Sequence, residues 1–296
     1  MPVPESGFPA GGGETAVFLE STMPIWLNHP AIQSGVAPFV AAVVVALALR
    51  RVGWAAGAVA VLTGLCITVV WVTGFGLTPM TATRKIILLG LVVAPVAVVL
   101  EWAAIGVRGR VALWFAVAVA AMVWVGWPVL ARREIGKALA AGLPLVGYCG
   151  WVAAVAGRGS ADLLRTASGA AALGLATGGA ALFGASALLG QLALAVGSAA
   201  GGVLVAHLVR GGGDGSGALG AAAGLPLALL GAAATLYAKM PALALLPLAL
   251  VPLAPLLPVP QGLPRWRRAG ILFALAMAPG GVAIFLTYRV AGPVPF

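Results

Sequence analysis

The stretch RKIILLGLVVAPVAVVLEWAAIGVRGR, residues 84–110, opens on Arg84 and Lys85 and closes on Arg108 and Arg110. Between these cations the run is apolar except for one carboxylate, Glu101, and it carries one proline, Pro95. A run of about 20 apolar residues matches the hydrocarbon thickness of a bilayer. Lipid offers backbone N–H and C=O groups no partners, so a run of this kind must close its own hydrogen bonds as a helix.

The same pattern recurs along the chain. The 296 residues are 62% apolar and 8% charged, with a mean hydropathy of +1.10, whereas a soluble domain is about half apolar and a quarter charged. The apolar stretches are continuous rather than alternating, which argues against an outer-membrane barrel. The expected fold is all-α: a polytopic integral membrane bundle of about ten transmembrane helices, within a range of roughly nine to eleven. The first five spans fall at roughly 35–50, 54–75, 86–106, 111–131 and 138–157. The next five fall at roughly 166–184, 187–209, 217–237, 240–258 and 269–288. Residues 166–209 form one Ala/Gly/Leu run of 44 residues. That is too long for one span and fits two joined by a tight turn near Gly184–Ser186.

The domain reading follows from these spans. Residues 1–34 form a non-membrane N-terminal segment, 35–157 a first five-helix half, 158–165 a polar connection, 166–290 a second half and 291–296 a short tail. Residues 1–15 are expected to be disordered, and AVFLESTMPIW (16–26) to lie along the membrane surface. Two tandem halves with an odd number of spans enter the membrane in opposite orientations, as inverted repeats do. One echo of a repeat is visible, since Arg132-Arg133 and Arg267-Arg268 each precede a proline, Pro144 and Pro279, by the same 11 residues.

The net charge of +10 does not point to nucleic acid, because the 17 Lys and Arg residues are scattered at span ends and form no basic face. Their placement speaks to orientation instead. With the N-terminus outside, ten fall on the inner side and seven on the outer, and residues 1–34 carry none. The Ala/Gly/Arg bias suits a bacterial inner membrane, with the N-terminus periplasmic. The expected partners are the lipid bilayer and other membrane subunits or a second copy of the chain.

Cys66 and Cys149 both lie in apolar runs, so neither a disulfide framework nor a zinc site is expected, and no metal or cofactor is assigned. His29 and His207 fall on opposite membrane faces, so one haem gripped by both is excluded. His29 precedes Pro30 and suits the start of the first span. GGGDGSG (211–217) lacks the Lys-Ser/Thr of a P-loop and reads as a flexible connection. With seven acidic residues and no HExxH or GxSxG, no catalytic residue is assigned and an enzyme is not expected.

The candidates for a functional site are few. A third span over 86–106 would place Glu101 about 6–8 Å from its centre, a depth at which a carboxylate faces protein or water. An earlier span would instead leave Glu101-Trp102 as an interfacial anchor. Pro38, Pro95, Pro144, Pro226, Pro247, Pro252 and Pro279 fall inside spans, and APGG (278–281) offers Pro279, Gly280 and Gly281 for a broken helix exposing backbone groups to a substrate. The ninth span, MPALALLPLALVPLAPLLPVP, reads as kinked or short. Gln191 and Ser198, seven apart, share a helix face and suit a polar path or a hydrogen bond to a neighbouring helix. Gly174/Gly178 and Gly197/Gly201 form two GxxxG pairs that mark close helix packing.

In length and span count the chain resembles the drug/metabolite transporter superfamily. The likeness is architectural, no motif carries it, and no residue role is transferred from it. Two functions are expected: a permease for a small solute or lipophilic compound, or a non-catalytic structural or assembly subunit of a membrane complex.

Overall fold

The first helix shows how this chain handles a proline in a membrane. Residues 32–36 wind as a π-turn, in which the Ala37 N–H donates to the Ile32 carbonyl five residues back. In an α-helix that N–H would bond the Gln33 carbonyl. The carbonyl's alternative π partner is Pro38, which has no N–H. The orphaned Gln33 oxygen is met from the second helix, where the Thr68 hydroxyl donates at 3.0 Å.

The computed structural model describes residues 29–292 except 75, 77, 104, 159–161, 212–214 and 261. The sequence expectations for residues 1–28 lie outside that range. Among the described residues every regular element is helical, and ten helices follow in order. They are α1 (Ile32–Ala48), α2 (Ala56–Val72), α3 (Ala82–Trp102), α4 (Val107–Leu130), α5 (Ile135–Gly157), α6 (Leu163–Phe183), α7 (Ala187–Arg210), α8 (Ser216–Tyr237), α9 (Ala242–Leu256) and α10 (Arg265–Ala291). Seven of them, α3 to α8 and α10, are long and apolar enough to cross a membrane, and α1, α2 and α9 are shorter apolar helices. No boundary departs from the sequence reading by more than four residues. Helix α6 begins at Leu163 and α1 at Ile32, each three residues before the start read from the sequence.

Helix α8 is the axis of the bundle. Its sequence, SGALGAAAGLPLALLGAAATLY, is apolar on every face, and a helix of that kind is buried all round. It packs against α2, α3, α4, α5, α6 and α7. Small side chains let those neighbours approach. A Cβ on Gly224 would lie 2.5 Å from that of Ala156, and one on Gly220 would collide with the Ala156 carbonyl. The closest pair is α6 with α7, where Gly174 meets Gly197 backbone to backbone.

The helices alternate, so the bundle has two ends. One gathers the α3–α4, α5–α6 and α7–α8 connections with the start of α10, and the contacts Glu101–Arg110 and Asp162–Arg268 lie there. Gly211 (φ +62°) and Gly215 (φ +98°) turn the chain from α7 into α8 at this end, in left-handed conformations that favour glycine. At the other end the Lys85 ammonium donates to the Trp124 carbonyl at 2.9 Å and lies 5.1 Å from the Trp124 ring centre. The carbonyl is available because its helical partner would be the N–H that Pro128 lacks.

Thr68→Val keeps the shape and leaves the Gln33 oxygen unpaired, so it should destabilise the protein by about 1–2 kcal/mol. Thr63→Val, which removes only a bond from the Thr63 hydroxyl to its own helix's Val59 carbonyl, should change little. Thermal unfolding of both variants in detergent checks the pair; equal midpoints would show that Thr68 carries no special bond.

Candidate functional site at the broken helix α9

Prolines 247, 252 and 255 remove three N–H donors from a 15-residue helix. The result is a 3₁₀ turn at Ala242–Ala244, an α segment at Leu245–Leu250 and a 3₁₀ segment at Val251–Leu256. Side chains of neighbouring helices serve carbonyls in the middle of α9 and at its end. The Trp151 indole N–H of α5 donates to Ala249 at 2.9 Å. Arg165 of α6 donates through one guanidinium nitrogen to the Pro255 and Leu257 carbonyls at 2.9 and 2.7 Å.

Arg165 is held in turn by Asp162. That carboxylate caps α6 by accepting from the Leu164 N–H at 3.1 Å, lies 3.9 Å from the Arg165 Nε and accepts from Arg268 of α10 at 2.9 Å. An anion at a helix N-terminus is favoured by the helix dipole, and an Asp at that position by its capping geometry. One carboxylate and two guanidinium groups, all largely buried, thus tie the starts of α6 and α10 to the end of α9.

Beside this cluster lies a cavity of about 30 Å³, room for one or two waters. Val155 and Ala156 of α5, Thr166 and Ala170 of α6, Gly224 of α8 and Pro252 of α9 line it. Gly169 makes the wall tight, since a Cβ there would lie 2.5 Å from the Pro255 ring. In α5 and α6, Tyr148 Oη and Thr177 Oγ1 are buried and interact with each other, and Ser168 Oγ is buried without a hydrogen-bond partner among the described residues. This part of the interior therefore holds buried hydroxyls among apolar side chains.

Glu101 lies elsewhere. Helix α3 spans Ala82–Trp102, centred on Val92, so Glu101 stands nine residues or about 13 Å from the centre, close to the edge of the hydrocarbon. The expected span over 86–106 runs four residues past the end of this helix. The carboxylate pairs with Arg110 at 3.5 Å and packs on the first turn of α8, where a Cβ on Gly217 would lie 2.6 Å from Oε2. Trp102 beside it is 78% exposed.

Gln191 and Ser198 do share a face of α7. That face, from Ala187 through Leu194 to Val205, is the helix's least buried stripe, pointing away from the bundle centre and from the cavity. The APGG segment is no break. Helix α10 runs unbroken from Arg265 to Ala291 through Pro279, with Gly280 buried and Gly281 exposed. Gly280 is a packing residue, as a Cβ there would lie 2.6 Å from that of Ala176 on α6. Of the two GxxxG pairs, Gly174, Gly178 and Gly197 form the α6–α7 seam, whereas a Cβ on Gly201 would make only ordinary contact with the Phe39 ring at 3.8 Å. The adjacent Gly202 makes the close approach instead, 2.5 Å from its Cβ position to the Phe39 carbonyl. His29 accepts at Nδ1 from the Ala31 N–H, 3.2 Å away, at the start of α1.

Sequence reasoning missed Asp162, Arg165 and Arg268. The signal for Asp162 was present: an Asp directly before an apolar run, with an Arg three residues on. Nothing in the sequence tells that Arg268 reaches it across 106 positions. No family model, no curated protein and no solved structure matches the chain.

Two outcomes test these assignments. Gly280→Ala should destabilise by about 1–3 kcal/mol through overpacking against Ala176, while Gly281→Ala should be neutral or slightly stabilising from helix propensity. Equal thermal midpoints would remove the packing role. Arg165→Gln should release amide protection at Val251, Leu253 and Ala254 in hydrogen exchange, and Arg165→Lys should restore it only in part, because one ammonium presents no planar fork. Unchanged exchange in Arg165→Gln would mean that α9 needs no clasp.

Proposed function

We propose that the protein is a permease for a small solute or a lipophilic compound, built from ten spans as two five-helix halves of opposite orientation. It works in a bacterial inner membrane with the N-terminus outside. The observation that carries this reading is α9, a broken helix flanked by a cavity and fastened by a charged cluster at one end of the bundle. Broken helices with side-chain-held carbonyls are where transporters bind and move substrates. The Asp162–Arg165–Arg268 cluster serves as a gate on the basic end: parting it frees α9 to swing and joins the cavity to the inner side. The substrate is mainly apolar, since Ala, Gly, Leu and Pro dominate the walls, with the Thr166 hydroxyl among them.

A structural subunit of a membrane complex is the second reading, favoured by the small volume of the cavity and the dry Ala/Leu core around α8. The two readings differ in whether the cavity is reached from both faces. With Cys66 and Cys149 replaced by alanine, a single Ala170→Cys thiol reports from the cavity wall. A membrane-impermeant maleimide should label it in both right-side-out and inverted vesicles if the protein alternates. Asp162→Asn should raise labelling from the basic end. Labelling from one face only, indifferent to Asp162→Asn, would leave the structural reading.

A further inference from the structure

A second site lies on the lipid-facing side, away from α9. The start of α4 and the end of α5 enclose an open groove of about 490 Å³, lined by Val107, Arg108, Val111, Ala112, Phe115 and Arg158. That volume falls within the roughly 300–1,000 Å³ of small-molecule sites. Glycines on α5 shape it. Gly157 receives the buried Trp114 ring and Gly150 receives the Phe115 ring at 2.6 Å from its Cβ position, so α4 lies close on α5 and Phe115 forms the floor.

The groove is amphipathic along its length. Val107, Val111 and Phe115 follow one another at four-residue spacing, as do Arg108 and Ala112. From Val107 to Phe115 the wall runs about 12 Å along the helix axis. That is most of the depth of one leaflet's hydrocarbon, about 15 Å. At the membrane-surface end stand two exposed guanidinium groups, Arg108 and Arg158, and neither has an ion-pair partner among the described residues. Arg110, two residues on, is by contrast consumed by Glu101.

We infer that this groove binds an anionic phospholipid, with the phosphate on Arg108 and Arg158 and an acyl chain along Val107, Val111 and Phe115. Guanidinium groups favour phosphate through paired N–H donors. The apolar wall below the charges selects a lipid over a free anion, because inorganic phosphate gains nothing from Val111 or Phe115. A zwitterionic headgroup would set its own cation against the two arginines.

Native mass spectrometry of the full-length protein, released from detergent containing phosphatidylglycerol or phosphatidylcholine of matched chains, reads the site directly. The wild type should retain phosphatidylglycerol selectively. Arg108→Gln/Arg158→Gln should weaken that retention about thirtyfold, the loss of two surface cations acting on an anionic lipid. Ala112→Trp, which fills the groove and keeps both charges, should weaken it as well. Arg132→Gln/Arg133→Gln, at the opposite end, should leave it unchanged, and variants are compared only where their melting matches the wild type. Equal retention of both lipids, or an unaffected arginine double variant, would overturn the proposal. Displacement of the lipid by excess inorganic phosphate would assign the arginines to a soluble anion instead.

Discussion

A backbone carbonyl released by a proline inside a membrane must find a donor within the protein, and this chain meets that demand with side chains. Pro38 releases Gln33, and Thr68 answers it. Pro128 releases Trp124, and Lys85 answers it. Pro252 denies Ala249 its 3₁₀ partner, and Trp151 answers it, while Arg165 holds the carbonyls left open where α9 ends. In each case the donor sits on a different helix. The repair of a local defect therefore becomes a tertiary contact, and the prolines help to decide which helices lie side by side. Each bond is worth only about 1 kcal/mol net, but leaving any of the carbonyls bare in lipid costs more than the bond returns.

The second constraint is the distance between helices. Lipid tails are as apolar as Leu side chains, so association in the membrane rests on close packing rather than on the hydrophobic effect. Gly174 against Gly197, Gly202 against Phe39 and Gly220 against Ala156 bring backbones together at points where a single methyl group would not fit. The Gly220 contact belongs to α8, which has six neighbours and is dry on all sides. Small residues also build the cavity beside α9. There Gly169 of α6 lies on the Pro255 ring and Gly224 of α8 lies on Ala156 of α5.

Most of the architecture was legible in the sequence, because hydrophobic length is a local property. The helix boundaries emerged to within four residues, and GxxxG spacing marked Gly174 and Gly197 as packing points without pairing them. What was illegible depends on partners. Whether Pro279 breaks its helix depends on what lies beside it, and α10 runs straight with Gly280 seated on Ala176. The third helix was read four residues too far because the apolar run AAIG after Trp102 looks like helix, yet α3 ends at Trp102. The Asp162–Arg268 bond joins residues from two distant helices, and no local pattern announces it.

The manner in which α9 is held bears on how it could move. A helix closed by its own ladder unwinds cooperatively, losing several bonds together. Helix α9 instead ends on carbonyls held by a single guanidinium, and its middle is held by one indole N–H. Moving it requires the exchange of a few side-chain bonds, each replaceable by water or by a bound ligand at small net cost. Asp162 sets how readily Arg165 lets go, because it balances both arginines at once. A ligand that engaged Arg165 or Arg268 would weaken the clasp from the inside. Chemistry and motion then meet at one carboxylate, which makes Asp162, rather than Glu101, the residue on which the proposed gate turns.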